Sequence, residues 1–245
     1  IMERNSSMKP IYVGNVHEIY KINDNQLAIV KTDRISVFGN LLPNPIKDKG
    51  IVLNKISNFW FDMTKDITGN HIVHNEYHYM PLFFQDEFFK HRTILVDKLD
   101  IIPFEFIVRG YIFGRMWKAY KNNEPFCGKR ILGNYQLAEK LKHPVLTPTQ
   151  KSNNNQDEDV DIKDVESQLG SSLTRQIVNI CFDLYEECSK YALTKGLIIA
   201  DTKFEFGMNK FNQLVLADEI FTPDSSRFWD AADYQIGISP KSYDK

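Results

Sequence analysis

Cysteine is scarce in this 245-residue chain, which holds only Cys127, Cys181 and Cys188. No two of them form a CxxC pair, so the sequence predicts reduced thiols in a cytoplasmic protein, not a disulfide framework or a cysteine zinc site. Long apolar runs are missing too. Nothing approaches the roughly 20 consecutive apolar residues of a membrane span, and no signal peptide is evident, so we expect no membrane partner.

An excess of one charge is also absent. The chain has 30 basic and 32 acidic residues and a net charge of −2, which argues against nucleic acid as a partner. Hydrophobic residues make up 42% of the chain, enough for one large domain or two small lobes. Because the sequence opens on Ile1 and ends in SPKSYDK, we expect Met2 or Met8 to be the natural start and the natural chain to continue beyond Lys245.

Some stretches are short runs bounded by turn residues, as in strands, and others carry apolar residues at helical spacing. They predict strands at residues 11–20, 26–31, 93–99 and 103–108, and helices at residues 53–67, 111–121 and 173–195. Ser171 or Ser172 is expected to cap the last helix and Gly196 to end it. The polar stretch 150–172 is predicted to be a mobile loop. A β-rich first part followed by mixed helices and strands indicates an α+β protein with a cleft between two lobes.

The clearest chemical pattern is a predicted hairpin formed by residues 198–207 and 216–229. Its first strand alternates charged side chains (Asp201, Lys203, Glu205) with apolar and small ones (Thr202, Phe204, Phe206), which places the charges on one face. An even-numbered loop would bring Asp218 close to Lys203, whereas an odd one would present Glu219 instead. Two carboxylates and a lysine on such a face can hold Mg²⁺ against a nucleotide phosphate. The alternative is a solvated face with cross-strand ion pairs.

Further polar groups stand at strand ends and turns. Gly14 begins the segment GNVHEIY, where a glycine either makes a turn or lets backbone N–H groups approach a phosphate. Asp33, Arg34 and Ser36 follow a predicted strand, in either a ligand-binding or a capped, salt-bridged turn.

Two arginines are placed to bind an anion. Arg109, between a strand and a helix, and Arg227, in TPDSSRFW, suit a phosphate or carboxylate, although Arg109 is equally consistent with an ion pair between lobes and Arg227 with a surface turn. The histidines at positions 71, 74 and 78 have no spacing typical of a metal site and are predicted to lie on the surface.

Taken in order, the segments TDRIS, IVRGYI, ADTKFEFG and DEIFTPDSSRFW resemble the SAICAR synthetase family of purine biosynthesis, over residues 11–245. The resemblance implies a two-lobed fold: a β-rich lobe akin to that of kinases and ATP-grasp enzymes (residues 1–101) and a C-terminal α+β lobe (residues 102–245). It also implies a cytoplasmic, ATP-dependent ligase, with a homo-oligomer left open. The carboxylate of carboxyaminoimidazole ribonucleotide (CAIR) would be activated by ATP and joined to the amine of L-aspartate.

The resemblance also implies roles for single residues. Lys203 and Asp201 would be catalytic, and Glu205 and Asp218 would bind Mg²⁺. Contacts to ATP would come from Gly14, Asn15, Val16, His17, Lys98, Glu205 and Asp218. Contacts to the other substrates would come from Arg34, Ser36, Arg109, Arg115, Lys151, Asp157, Ser226 and Arg227.

Several positions depart from the family pattern. Asn15 and His17 replace two cations near the expected ATP phosphates, and Gly39, Arg115 and Gln156 replace other usual residues. A phosphate neighbour would favour protonation of His17, so we expect ATP affinity to fall as pH rises, unless Arg115 supplies the missing charge. These departures leave two alternatives open: an amide ligase for a different acid or amine, or a nucleotide-binding protein with little catalysis.

Overall fold

The computed structural model of the chain describes residues 8–37, 40–151 and 157–243. The first part forms a five-stranded antiparallel sheet in the order β1-β2-β3-β7-β6, beside a small hairpin of β4 and β5. The strands are β1 (Tyr12–Val13), β2 (His17–Lys21), β3 (Gln26–Lys31), β4 (Ser36–Val37), β5 (Asn40–Leu41), β6 (Ile72–His74) and β7 (Thr93–Asp97).

The second part is built on a seven-stranded sheet in which the long strand β12 pairs with β9, β13, β14 and β8, and β10 and β11 continue beyond β9. Its strands are β8 (Asp100–Ile101), β9 (Phe104–Tyr111), β10 (Lys140–Gln150), β11 (Glu158–Asp159), β12 (Leu197–Met208), β13 (Leu214–Ala217) and β14 (Ser226–Asp230). Residues 98 and 99 join the two sheets, so the predicted two-lobed α+β architecture is confirmed.

Among the described residues there are four α-helices: α1 (Lys49–Met63), α2 (Gly114–Lys121), α3 (Ile162–Leu169) and α4 (Ser171–Thr194), with short 3-10 turns at Tyr77–Tyr79, Leu82–Gln85 and Glu87–Phe89. The predicted apolar face of α4 is confirmed, since Ile177 and Leu184 lie fully buried in the main core. In the part of the chain that the structure describes, no helix has the length and apolarity needed to cross a bilayer.

Helix α1 connects the two parts. Trp60 and Phe61 lie in the same core as Phe104, Phe206 and Phe221, although α1 comes from the first part of the sequence. The lobes therefore share a core, and a division at residue 101 stays a proposal about the architecture.

Two local predictions were wrong. The stretch 150–172 is not all loop, because Asp161 forms a capping box with Asp164 and starts α3. Gly170, not Ser171 or Ser172, stands at the N-cap of α4, and no side chain caps that helix. Gln150 and Glu158–Asp159 of this stretch belong to β10 and β11, while residues 152–156, like Gly39, lie outside the described residues.

Candidate active site

A cleft of about 910 Å³ lies where the two sheets meet. Side chains of the first sheet form its apolar wall, among them Ile19, Leu27, Ile29 and Val96. The opposite wall carries acids and lysines from the second sheet. A smaller cavity of about 230 Å³ shares Lys203, Asp224 and Arg227 with the cleft, so the two are adjacent. An apolar slot that opens into a polar, charged pocket suits a nucleotide next to a second polar ligand.

The charged face predicted for the hairpin is present. Thr202, Phe204 and Phe206 are buried on the opposite face, while Lys203 and Glu205 line the cleft. Glu205 stands opposite Ala217 in the β12–β13 register, so regular alternation would bring Glu219 and not Asp218 to this face. Asp218, however, has a φ of 62° and ends the strand. This left-handed residue breaks the alternation, and both Asp218 and Glu219 reach the cleft.

Lys203 is the centre of an ion network on this face. Its Nζ donates to Oε1 of Glu105 and to Oε1 of Glu205, each at 2.8 Å, and lies 3.9 Å from Oδ2 of Asp218. The other carboxylate oxygen of Glu205 accepts a bond from Lys151. Burial alone would lower the pKa of Lys203, but the carboxylates of Glu205, Asp218 and Glu105 outweigh it and raise that pKa well above the usual value. Lys203 is therefore a permanent cation.

Lys31 is a second cation next to the acids of the cleft, although it is not itself among the lining residues, and the sequence analysis missed it. It ends β3 with its side chain 2% exposed, and its Nζ lies 3.6 Å from Glu219 and 3.9 Å from Asp218. Burial opposes its charge, but these two carboxylates raise its pKa. The sequence feature that could have pointed to Lys31 is its place at the end of the apolar run LAIVK. This pattern is typical of the phosphate-binding lysine of kinase-like lobes.

His17 lies opposite Lys31 in the β2–β3 register. Burial and the charge of Lys31 lower the pKa of His17, against the opposing effect of Asp218 and Glu219. The imidazole is thus neutral near pH 7, and the buried cation beside it is Lys31. Arg115, the other candidate for the missing charge, donates to Asp159 at 2.8 Å and lines the smaller cavity instead. Lys31 is therefore the strongest candidate for the charge that Asn15 and His17 do not supply.

Magnesium fits this face only together with a ligand. No group of three or more His, Cys, Asp or Glu side chains within residues 8–37, 40–151 and 157–243 is arranged to hold a metal by itself. Glu205 and Asp218 supply two carboxylates on either side of Lys203. Because Mg²⁺ in nucleotide sites takes one or two carboxylates and completes its shell with phosphates and water, this donor set suits Mg²⁺ with ATP.

Arginines line the smaller cavity. Arg109 donates to Asp201 at 2.9 Å and to Thr147 at 3.0 Å, and Arg227 bonds the same oxygen of Asp201. The Arg109 side chain is only 5% exposed, whereas that of Arg227 is 31% exposed. Asp201, predicted as catalytic, thus holds two guanidiniums in place, and Arg227 is the one more open to a ligand.

The glycine segment makes a turn between β1 and β2, with the N–H of Gly14 donating to the carbonyl of His17 at 2.9 Å. Arg34 holds this turn by donating to the carbonyl oxygens of Gly14 and Asn15 and to Glu18. The guanidinium predicted to contact substrate is therefore engaged with the protein here, and its substrate role stays a prediction.

The structure brings most of the predicted site together. The cleft is lined by Asn15, Val16, His17, Ser36, Lys151, Asp157, Lys203, Glu205, Asp218 and Arg227, and the smaller cavity by Arg109, Arg115, Asp201, Lys203, Ser226 and Arg227. Gly14, Arg34 and Lys98 are not among the lining residues, although the neighbours of Lys98, Asp97 and Leu99, are. Asp224, which the sequence analysis also missed, lines both cavities and pairs with Lys49 of α1 at 2.6 Å.

The three histidines predicted to lie on the surface differ in their exposure. His74 and His78 are exposed, but the prediction for His71 was wrong. His71 is 3% exposed, and its Nδ1 lies 3.0 Å from the carbonyl oxygen of Leu216 on β13. It therefore links the two sheets.

Comparison with known proteins agrees with this geometry. The family profile described as SAICAR synthetase matches residues 10–245. The phosphoribosylaminoimidazole-succinocarboxamide synthase of Lachnospira eligens is 42% identical over 243 residues, covering 96% of this chain and 82% of that protein. The protein of the same name from Pichia angusta is 40% identical over 241 residues, covering 95% and 80%.

Solved structures show the same likeness. The SAICAR synthase from Saccharomyces cerevisiae complexed with SAICAR superposes with a TM-score of 0.88 at 36% identity, over 96% of this chain and 81% of that one. A SAICAR synthetase in complex with ADP superposes with a TM-score of 0.74 over 92% of this chain and 86% of that one. At 23% identity this second likeness concerns the fold alone.

Proposed function

The chain belongs to the SAICAR synthetase family, and we propose that its central cleft is where the family's reaction takes place. The protein is an ATP-dependent ligase of purine biosynthesis, which joins the carboxylate of CAIR to the amine of L-aspartate and yields SAICAR, ADP and phosphate. The observation that carries the assignment of the cleft is the cluster of Lys203, Glu205 and Asp218, with Lys31 paired to Asp218, between an apolar slot and an arginine-lined pocket.

The chemistry explains why such a cluster is needed. A carboxylate is a poor acyl donor, so one of its oxygens first attacks the γ-phosphorus of ATP, giving an acyl phosphate and ADP. The uncharged amine of aspartate then attacks the acyl carbon, the C–O bond to phosphate breaks, and the nitrogen loses a proton as the amide forms. Phosphoryl transfer of this kind depends on positioning and on neutralising charge, not on covalent help from the protein.

Lys31, which is buried, and Lys203, which is 27% exposed, supply that neutralisation. Lys31, at the end of β3, lies within 4 Å of Asp218 and Glu219, two acids that line the cleft, and would bind ATP phosphates. Lys203 is held on the opposite wall by Glu105 and Glu205 and would stabilise charge on the transferred phosphoryl group. Glu205 and Asp218 would hold Mg²⁺, which when bound draws charge from the phosphate oxygens. The adenine would lie against the apolar wall of Leu27, Ile29 and Val96.

The ribonucleotide would occupy the arginine-lined end of the cleft. Arg227, with Arg109 held behind it by Asp201, would bind the ribonucleotide phosphate, and Ser226 and Arg115 line the same pocket. Ser36, Lys151 and Asp157 line the larger cavity, where the imidazole and aspartate would meet the acyl phosphate. The partners are then small molecules. A cytoplasmic location and a homo-oligomer belong to the proposal, to be checked by cell fractionation and light scattering.

Phosphate release from ATP tests this proposal. Purified protein is supplied with ATP, Mg²⁺ and CAIR, with and without L-aspartate, and SAICAR is measured by mass spectrometry. We expect rapid phosphate release and SAICAR only when all substrates are present. Phosphate release with CAIR and a different amine would indicate a divergent ligase. ATP binding without release under any combination would contradict the proposal and indicate a nucleotide-binding protein.

A further inference from the structure

Glu105 and Glu205 stand beside each other on neighbouring strands. The β9–β12 ladder pairs Lys203 with Ile107 and Phe204 with Phe106, and the two glutamates are the next residues along it. Two carboxylates side by side repel each other unless a cation lies between them. Lys203 is that cation, since its Nζ donates to Oε1 of each glutamate at 2.8 Å.

Glu105 has no other evident task. Its side chain is 13% exposed, and its second oxygen accepts a bond from Thr149 Oγ1 at 3.3 Å. It is not among the residues that line either cavity of the cleft. An effect of Glu105 on the reaction must therefore pass through Lys203.

The carboxylate of Glu205, by contrast, cannot bind all of its partners at once. In this structure Lys203 bonds one of its oxygens and Lys151 bonds the other. The proposed function also assigns Glu205 to Mg²⁺. A carboxylate that turns its oxygens to a divalent cation weakens its bonds to lysines, because a metal and an ammonium compete for the same lone pairs.

We propose that Glu105 is a positioning residue that holds Lys203 on the charged face while Glu205 binds the metal. The inference rests on the proposed function. With Glu105 in place, Lys203 keeps one full carboxylate partner, so it stays directed at the transferred phosphoryl group and Glu205 is released at little cost. Without the charge of Glu105, Lys203 depends on Glu205 alone and competes with Mg²⁺ for it.

The test is Glu105→Gln, which keeps the shape and one acceptor oxygen but removes the charge. Glu187→Gln, at an exposed position on α4, is the matched control. Mn²⁺ is titrated into each protein with ADP present and followed by electron paramagnetic resonance. We expect the Mn²⁺ dissociation constant of Glu105→Gln to rise roughly 10-fold, as when an outer partner of a metal ligand is removed. The Mg²⁺ concentration for half-maximal SAICAR formation should rise in parallel.

Rescue and structural controls sharpen the test. Glu105→Asp retains the charge and should recover part of the Mn²⁺ affinity, and Thr149→Val, which removes the second bond to Glu105, should shift it in the same direction as Glu105→Gln. A lower melting temperature with unchanged Mn²⁺ affinity in both Glu105→Gln and Thr149→Val would overturn the inference and leave Glu105 a purely structural residue. SAICAR formation by the wild type is scored separately, so failure of the proposed function is distinguishable from failure of this inference.

Discussion

Lys31 and Lys203 each stand between carboxylates that come from different parts of the chain. Lys31, on β3, faces Asp218 and Glu219, and Lys203, on β12, joins Glu105 to Glu205. Forming an ion pair away from water costs desolvation free energy. Removing one partner costs more, because the other charge is left without compensation. Both lysines carry their charge next to acids that line a nucleotide-sized cleft, where a ligand would bring further negative charge.

The two acids proposed to bind Mg²⁺ give the first prediction for single residues. Glu205→Gln and Asp218→Asn should each lower turnover by at least roughly 100-fold, because each removes a charge that stabilises the transition state. Both substitutions keep side-chain size and an acceptor oxygen, and Lys203 and Lys31 keep Glu105 and Glu219 as carboxylate partners, so the melting temperature should move by only about 2–4 °C. Steady-state SAICAR formation and calorimetry measure the two effects. Near-normal turnover in both variants would remove these acids from the mechanism.

The two arginines around Asp201 should respond differently to lysine. Arg227→Lys should weaken CAIR binding by about 10-fold or more and ATP binding much less, because a point charge cannot replace a planar fork on phosphate. Arg109→Lys should mainly lower the melting temperature, since Arg109 is buried and holds Thr147 and Asp201. Isothermal titration with each ligand separates them. Equal losses for CAIR and ATP in Arg227→Lys would mean that Arg227 organises the cleft as a whole.

At the level of elements, the site depends on how closely α1 approaches β3. A Cβ built on Gly50 would lie 2.3 Å from the carbonyl oxygen of Lys31, so only glycine allows this contact. Asp33 fixes the same junction by accepting from the N–H of Gly50 at 3.0 Å and from Arg92 at 2.9 Å. The start of α1 thereby sets the position of Lys31.

Gly50→Ala should therefore destabilise the fold by about 1–3 kcal/mol, the usual cost of overpacking, and should weaken ATP binding by displacing Lys31. Gly69→Ala is the matched control, since a Cβ there would lie 3.6 Å from Val215 in ordinary contact, and it should change stability by no more than about 0.5 kcal/mol. Urea unfolding and ATP titration measure both. Equal stability of the two variants would show that α1 and β3 can move apart enough to accept a Cβ at position 50.

The periodicity of residues 201–206 was enough to predict which side chains of β12 face the cleft. It could not predict that both acids after β13 reach the cleft, because that depends on the left-handed conformation of Asp218. It also could not give Lys31 its role, since the acids around that lysine are distant in sequence. The capping box at Asp161 was readable, but the polar composition of residues 150–172 obscured it.

On the scale of the whole molecule, the lobes are joined by buried contacts as well as by residues 98 and 99. Trp60 and Phe61 of α1 pack in the core of the second sheet, and His71 donates through Nδ1 to Leu216. The resemblance to a known family predicted the two lobes and the cleft. The shared core was not predictable, because packing between distant segments leaves no local pattern.

The buried His71 predicts how stability depends on pH. Burial lowers the pKa of His71 to about 4, from 6.5. As pH falls below 6.5, the unfolded chain binds a proton at this residue and the folded protein does not. The free energy of unfolding should therefore decrease down to about pH 4, by about 3 kcal/mol in all at 1.36 kcal/mol per pKa unit.

His71→Gln should reduce the pH dependence of stability between pH 6.5 and 4, whereas His74→Gln, at an exposed neighbouring position, should keep it. Urea unfolding across this range, compared among the three proteins, gives the difference due to His71 alone. The same slope in all three would mean that other groups control stability in acid.

In the proposed function, the cleft activates the carboxylate of CAIR by phosphoryl transfer before the amide forms. The most direct measurement supplies CAIR labelled with ¹⁸O in both carboxylate oxygens, with ATP and L-aspartate, and follows the released phosphate by mass spectrometry. An acyl phosphate passes one carboxylate oxygen to phosphate when the C–O bond breaks, so each phosphate should carry one ¹⁸O atom and the SAICAR amide should retain the other. Phosphate released without ¹⁸O while SAICAR accumulates would contradict the account.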